Sequence, residues 1–187
     1  MVRRPSNPAE ESPAPSAIDE VWRGLAELSS TQDPEELAAR FLRLGIQMEG
    51  LEDFASACEF YSKGLSLDPQ SAHTRYFLNN NIGYSLNQLR RFADAEPYCR
   101  TAIEVEGRRH NAYKNLGVSL TGQKRYAEAS VCFVQATRAC PGDRRALLCL
   151  ERLVTEVPEI LSLVPGLEKD LDECRVLGHM GSSPSRN

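Results

Sequence analysis

The 187-residue chain lacks long apolar runs, paired cysteines and any excess of positive charge. Its longest apolar runs, such as 131–134 and 146–150, fall far short of the roughly 18–20 residues that a membrane helix needs. Its six cysteines include no C-x-x-C pair, and a chain of this length does not need a disulfide framework. The net charge is −4, whereas proteins that bind nucleic acid through bulk charge are basic. We therefore expect neither a membrane nor a nucleic-acid partner.

Residues typical of catalytic and metal sites are also scarce. No glycine-rich phosphate loop and no G-x-S-x-G nucleophile motif occurs. The histidines fall in predicted loops or the tail, without metal-ligand spacing, and are His73, His110 and His179. Three cysteines on or beside predicted helices leave a metal- or cysteine-dependent protein open as an alternative, namely Cys132, Cys140 and Cys149. Free cysteine is more often a small apolar filler, so we expect no enzyme, no cofactor and no metal.

The two ends of the chain differ in composition from its middle. Residues 1–16 contain four prolines and three serines with few large apolar side chains, which predicts a disordered tail. Residues 178–187 are similar, so a second disordered tail is expected there. No apolar segment follows Arg3–Arg4, so a secretory signal is not expected, and the predicted location is cytoplasmic.

Between these tails the apolar pattern is helical, and no sustained alternation of β-branched residues predicts strands. Residues 17–33 form a predicted amphipathic helix and linker, with an apolar stripe through Val21, Trp22 and Leu25. The next helix begins at Asp33-Pro34, where a capping side chain precedes proline at the first helical position. A final segment, 144–177, is predicted to form a capping helix or helices.

An internal repeat organises residues 34–143. Leu44-Gly45, Ile82-Gly83 and Leu116-Gly117 align at steps of 38 and 34 residues. The same offsets keep five further columns in register, which are Phe54/Phe92/Tyr126, Ala57/Ala95/Ala129, Tyr61/Cys99/Phe133, Gly64/Ala102/Ala136 and Pro69/Gly107/Pro141. Small residues in such columns allow two antiparallel helices to approach closely, and the aromatic residues fill the seam between them. Because one helix pair cannot bury its apolar face alone, neighbouring pairs are predicted to stack.

These columns resemble the tetratricopeptide repeat family, most fully at Leu116-Gly117, Ala129, Phe133, Ala136 and Pro141. The resemblance implies an all-α, right-handed α-solenoid of antiparallel helix pairs, with three repeats over about 38–71, 76–109 and 110–143 and with flanking helices. Cys99 replaces an aromatic residue and Gly107 a proline of the family pattern. Four extra residues between Pro69 and Gly83 either lengthen a loop or add one turn to a helix.

The resemblance also implies a concave groove lined by the first helix of each repeat. One groove position falls on Arg43, Asn81 and Asn115, where asparagine resembles the asparagine ladder of tetratricopeptide superhelices that grip extended peptides. A side-chain amide can pair with any peptide backbone, because it offers both a donor and an acceptor. The alternative is that Asn81 and Asn115 hydrogen-bond only to neighbours in their own helix. We favour ligand contact.

Neighbouring groove positions complete the candidate site. They are Leu42, Ile46, Phe77, Asn80, Tyr84, Asn111, Lys114, Val118, Arg145, Leu148 and Arg152. Apolar and aromatic positions lie toward the N-terminal side and cations toward the C-terminal side, so the expected ligand is a protein or peptide with an apolar stretch followed by acidic residues. The carboxylate clamp that takes chaperone C-termini is not expected, because Leu42, Ile46, Asn111 and Asn115 stand where it needs other residues and only Asn81 fits.

The sequence therefore predicts a non-catalytic protein-interaction module or adaptor that binds an extended partner segment. A secretion-type or assembly chaperone for a specific client is the main alternative. The oligomeric state stays open between a monomer and a homodimer through the N-terminal helix. That helix could also occupy its own groove, but packing on the first repeat is expected.

Overall fold

The computed structural model describes residues 17–180, and the predicted tail over 1–16 and residues 181–187 lie outside this range. Residues 17–180 contain helices and no strands. The helices are α1 (Ala17–Glu27), a 3₁₀ turn (Leu28–Ser30), α2 (Pro34–Gly50), α3 (Phe54–Ser66), α4 (Ala72–Gln88), α5 (Phe92–Val105), α6 (His110–Gly122), α7 (Tyr126–Ala139), α8 (Arg145–Glu156), α9 (Ile160–Leu163) and α10 (Leu167–Met180).

Three antiparallel pairs, α2/α3, α4/α5 and α6/α7, stack in chain order. The glycine columns explain how closely each pair packs. A Cβ on Gly45 would lie 2.2 Å from the Tyr61 ring, and one on Gly117 would lie 2.5 Å from the Phe133 ring. The prediction of an all-α right-handed solenoid of helix pairs is confirmed.

The contact between successive pairs depends on the small residue near the end of each second helix. A Cβ on Gly64 would lie 2.9 Å from a methyl group of Leu78, which belongs to the next pair. Leu78 is fully buried. The extra four residues of the second repeat lengthen its first helix, because α4 has 17 residues and α6 has 13.

The turns inside the three repeats share a strained backbone position. Glu52, Arg90 and Lys124 have φ of 59°, 60° and 61°, and they are spaced at the same steps of 38 and 34 residues as the other columns. The left-handed region costs a residue with a side chain roughly 1–2 kcal/mol. Each turn therefore reverses the chain over very few residues at a conformational cost.

The flanking helices cover the two ends of the stack. At the N-terminal end α1 packs against α2, where a Cβ on Gly24 would lie 2.7 Å from Leu44. Val21 of the predicted apolar stripe is buried, but Trp22 is 66% exposed. The helix thus packs on the first repeat while its largest side chain faces solvent.

At the C-terminal end α8 continues the row of first helices, and α10 packs across α7 and α8. Arg138 of α7 holds α10 through ion pairs with Asp170 at 2.7 Å and Glu173 at 2.5 Å. The predicted disordered tail from residue 178 starts too early, because α10 continues to Met180. Gly178 is buried, and a Cβ there would lie 3.0 Å from Leu147.

Candidate functional site

The inner face of the solenoid is built from α2, α4, α6 and α8, each of which contacts the next. The second helices α3, α5 and α7 lie behind them and pack against the first helix of their own pair and of the following pair. Side chains on the inner helices therefore meet across three seams, α2/α4, α4/α6 and α6/α8. These seams decide which groove positions are open to a ligand.

A ladder of polar contacts closes the first two seams. The Ser85 hydroxyl donates to a Glu49 carboxylate oxygen at 2.9 Å, and the Ser119 hydroxyl donates to the Asn87 side-chain oxygen at 2.9 Å. The four positions are equivalent in pairs by the repeat offsets. Burial raises the pKa of Glu49, while the hydrogen bond from Ser85 acts in the opposite direction. The ladder thus joins successive first helices at some electrostatic cost.

The candidate asparagines divide between this ladder and the surface of the groove. Asn115 is 3% exposed, and its amide donates to the Asn80 side-chain oxygen at 3.1 Å. Asn80 is 7% exposed and in turn donates to Asn81 at 2.9 Å. Only Asn81 is half-buried, with its amide 3.4 Å from the Tyr61 hydroxyl. Asn115 and Asn80 therefore bond across the α4/α6 seam rather than within one helix, and neither has an open amide face for a ligand.

The two aromatic candidates lie seven residues apart within α4 and are both half-buried. Tyr84 stands edge-on to Phe54, with ring centroids 6.0 Å apart. Phe77 has two close neighbours, because the Arg109 guanidinium lies 4.9 Å from its ring centroid and the His73 ring stands edge-on to it, with ring centroids 4.6 Å apart. Tyr84 is the more available of the two for contact with a ligand.

Cationic candidates converge near the start of α8. Arg145 pairs with Asp143 at 2.5 Å and also donates to the Asn111 side-chain oxygen at 3.2 Å. Asp143 also contacts the His110 ring nitrogen at 2.9 Å, and the hydrogen bond from Arg145 holds the pKa of Asp143 well below its ordinary value.

Lys114 and Arg152 differ in how far their charges are compensated. Burial, followed by the nearby charge of Arg145, lowers the pKa of Lys114. Among residues 17–180 no ion pair forms at Lys114, whereas the exposed Arg152 pairs with Glu156 at 2.7 Å. Asp143 lies close enough to compensate this charge in part, and an anionic ligand group near Lys114 would add to that compensation.

Arg43 is placed apart from the other candidates. It is exposed and lines a hollow of about 130 Å³ between α1 and α2, together with Glu20, Arg23 and Gln47. The structure thus brings Lys114, Asn111 and Arg145 together, with Tyr84 and Arg152 farther along the same face. It leaves Arg43 beside the N-terminal helix.

The third seam contains a cleft that the sequence did not reveal. Its volume is about 370 Å³, and its lining is Arg90, Phe92, Val118, Thr121, Gly122, Phe133, Cys149, Arg152, Leu153 and Glu156. Of these residues, Val118 and Arg152 were predicted as groove positions. The repeat alignment could have indicated two of the others. At a step of 34 residues, Leu153 replaces Ser119 and Cys149 replaces Asn115.

The cysteines do not form a cluster with other ligand-type residues. Among residues 17–180 no group of three or more His, Cys, Asp or Glu side chains is arranged to hold a metal ion, and this includes Cys132, Cys140 and Cys149. Burial raises the pKa of Cys99 to about 12 and that of Cys132 to about 11. Thiols with such pKa values are poor nucleophiles at neutral pH.

A comparison with known protein families gives a match on the helix pair α4/α5. A family model for the tetratricopeptide repeat matches residues 78–108, which cover most of α4 and all of α5. Residues 78–108 therefore match one tetratricopeptide repeat. Within residues 17–180, no helix has the length and apolar character needed to cross a membrane.

Similar proteins share this fold at low sequence identity. Protein O-mannosyl-transferase Tmtc3 of Drosophila melanogaster is 28% identical over 89 residues, which are 48% of this chain but 9% of that protein. MamA of Desulfovibrio magneticus RS-1 has a TM-score of 0.64 at 16% identity, covering 89% of this chain and 96% of that structure. The second tetratricopeptide domain of human RPAP3, solved with an HSP70 peptide, has a TM-score of 0.59 at 22% identity. The match covers 65% of this chain and 98% of that structure.

Proposed function

We propose that the chain is a non-catalytic adaptor whose inner face binds an extended segment of a partner protein, with an apolar stretch followed by acidic residues. The observation that carries this proposal is a row of equivalent side chains along the inner helices. Ile46, Tyr84 and Val118 occupy one register position on α2, α4 and α6, and Arg152 occupies it on α8. A row that changes from apolar to cationic matches a segment of that composition.

Exposure along the inner helices supports the proposal. Ile46 is 48% exposed. Leu148, which occupies on α8 the position that Lys114 occupies on α6, is 55% exposed. Large apolar side chains on a concave surface beside cations are typical of ligand sites that combine apolar contact with a few oriented polar groups. An extended partner segment would cover these side chains as it follows the row.

Lys114 gives the proposal its charge preference. Lys114 is half-buried, lies near both Arg145 and Asp143, and forms no ion pair among residues 17–180. Partner carboxylates that approach Lys114 and Arg152 would compensate these charges, so affinity should fall as salt rises. Tyr84 and Val118 would contact the apolar stretch on the other side.

The chemistry of the solved relative with an HSP70 peptide is not transferred to this chain. A carboxylate clamp would need Lys and Asn where the first inner helix has Leu42 and Ile46. It would need Lys and Arg where the third has Asn111 and Asn115. Asn115 is also buried in the α4/α6 seam, so it cannot take part in such a clamp.

A display selection with random linear peptides on the full chain tests the proposal. We expect the selected peptides to share apolar residues followed by Asp or Glu, and to bind with affinity that decreases with salt. In fluorescence anisotropy, Tyr84→Ala and Lys114→Glu should each weaken a selected peptide by about tenfold or more, the size expected for a central contact residue.

Matched controls separate contact with the peptide from general damage to the fold. Tyr98→Ala removes a half-buried tyrosine from the outer helix α5, and Lys169→Glu reverses an exposed charge on α10. Both controls should leave affinity within about twofold. Equal affinity for Lys114→Glu, Lys169→Glu and the unmodified chain at low and high salt would contradict the proposed groove.

The exposed Trp22 favours a second candidate, an assembly chaperone that holds a client or a second copy through α1. This residue is 66% exposed on a helix that otherwise packs on the first repeat. Light scattering coupled to gel filtration distinguishes the two. A dimer that dissociates in Trp22→Ser would favour this candidate, and a monomer in both forms would oppose self-association.

A further inference from the structure

We propose that the cleft in the α6/α8 seam is the anchor site for one apolar side chain of the partner segment, and that the segment carries a carboxylate beside this side chain. The inference rests on the proposed function and refines it, because it names one subsite and the chemistry of its occupant. Three observations support it. The hydrogen bonds that join the first helices in the first two seams are not repeated at the same register in the third, a cleft occurs there, and arginine side chains lie at its rim.

The ladder ends at the third seam because the residues that would continue it are changed. Thr121 stands where Asn87 accepts a hydrogen bond, but its hydroxyl donates to the Gly117 carbonyl of its own helix at 2.8 Å. On α8 the position of Ser119 is taken by Leu153. At this register no side-chain hydrogen bond crosses from α6 to α8 among residues 17–180, and apolar side chains meet there instead. The bond from Arg145 to Asn111 lies nearer the start of both helices.

A second column changes in the same way. Asn115, which closes the α4/α6 seam, is replaced on α8 by Cys149, a half-buried residue at the wall of the cleft. The Asn115 amide bonds across the α4/α6 seam, whereas the shorter Cys149 side chain lines the cleft in the α6/α8 seam. Two independent columns thus open the same seam.

The cleft has the size and lining of an anchor pocket. The cleft is half-open and has a volume of about 370 Å³, within the range of about 300–1,000 Å³ found for ligand sites. Phe133 is 2% exposed and lies at the bottom, while Val118, Cys149 and Leu153 form the sides. An apolar side chain that enters would exchange part of its contact with water for contact with these side chains.

The rim selects the charge of the occupant. Arg90 and Arg152 line the cleft, and both are exposed. Arg152 is paired with Glu156 at 2.7 Å, whereas no ion pair among residues 17–180 involves Arg90. With two guanidinium groups against one carboxylate, the rim has an uncompensated positive charge. This imbalance favours a segment that carries a carboxylate over a neutral or basic one.

Three small probes separate the apolar and charged parts of this site by NMR titration of the labelled full chain. The first is 4-methylpentanoate, which joins a leucine-like group to a carboxylate. Its amide removes the charge, and acetate removes the apolar group. We expect millimolar binding of 4-methylpentanoate with shifts at Val118, Thr121 and Leu153, binding of the amide about two- to fivefold weaker, and no saturable shifts with acetate.

Paired variants locate the site. Cys149→Phe fills the cleft and should abolish binding, whereas Cys140→Phe, at the half-buried end of α7 outside the cleft, should not. Arg152→Gln should reduce the preference for the carboxylate over the amide, and Arg108→Gln, an exposed arginine in the α5/α6 turn, should leave it unchanged. Circular dichroism melting checks that each variant remains folded.

The outcomes distinguish this inference from the proposed function. Shifts spread over the outer helices, equal binding of all three probes, or unchanged binding in folded Cys149→Phe would overturn the anchor site even if peptides bind elsewhere in the groove. Localised binding of 4-methylpentanoate supports the anchor site by itself. The proposed function fails separately, when display selection yields no peptide whose affinity depends on Tyr84 and Lys114.

Discussion

Replacing Gly117 with alanine tests the packing that holds each helix pair together. A methyl group at this position would lie 2.5, 2.7 and 2.9 Å from three atoms of the Phe133 ring. The ring is rigid and only 2% exposed, so it cannot turn into solvent. Either the ring or the α6/α7 spacing must shift.

The magnitude follows from two opposing terms. Overpacking of a well-packed core costs about 1–3 kcal/mol, and contact with three atoms of a buried ring places this site toward the upper end. Replacing helical glycine with alanine returns up to about 1 kcal/mol in helix propensity. We therefore expect Gly117→Ala to lower the free energy of unfolding by about 1–2 kcal/mol.

The assay is urea denaturation followed by circular dichroism, with Gly50→Ala as the matched control. Gly50 is the last residue of α2, and a Cβ there would meet nothing within 4 Å. This variant changes only the helix propensity, so its free energy of unfolding should rise by about 0.5 kcal/mol. A Gly117→Ala variant as stable as Gly50→Ala would refute the argument that this glycine is required by the approach of Phe133.

Three further perturbations test the inner helices and the turns. Because burial raises the pKa of Glu49, the folded chain binds this proton more tightly than the unfolded chain, and stability falls as pH rises through the ordinary value of 4.5. Glu49→Gln should therefore be more stable than the unmodified chain at neutral pH but not in acid below that value, as measured by urea titration at both. Lys124→Gly removes the side chain from a residue with a φ of 61° and should raise the free energy of unfolding by up to about 1 kcal/mol. The control Lys169→Gly, inside α10, should lower it by about 1 kcal/mol. Equal losses of stability for the two variants in thermal melts would contradict the backbone strain at Lys124. Asn115→Ala leaves the buried Asn80 oxygen without its amide donor and should cost about 1–3 kcal/mol, and a peptide-affinity loss without any stability loss would show that Asn115 contacts ligand instead.

The repeat architecture was predictable because each column of the sequence has one packing role in every copy. Gly45 and Gly117 face an aromatic ring on the partner helix, and Gly64 faces Leu78 of the next pair. These contacts recur at fixed offsets, so three copies reinforce one interpretation. The added turn in α4 was left open, because a loop and a helix accommodate four residues equally well in a sequence pattern.

The candidate site was less predictable, because a polar residue at a repeating inner position satisfies two different requirements. Asn115 was interpreted as a ligand contact, yet its amide closes the α4/α6 seam. Sequence register cannot distinguish an amide directed at the adjacent helix from one directed into the groove, since the two differ by a small rotation about the helix axis. The cleft was missed because it results from two replaced side chains, Cys149 and Leu153, rather than from a motif.

The most direct test of the adaptor account is NMR mapping of a display-selected peptide on the labelled full chain. The account predicts the largest shifts on one face, at Tyr84, Val118 and Arg152, with little change on α5 and α7. The same shifts should diminish in Lys114→Glu at a given peptide concentration. Shifts concentrated on the outer helices or around Trp22 of α1, with the inner row unchanged, would contradict it.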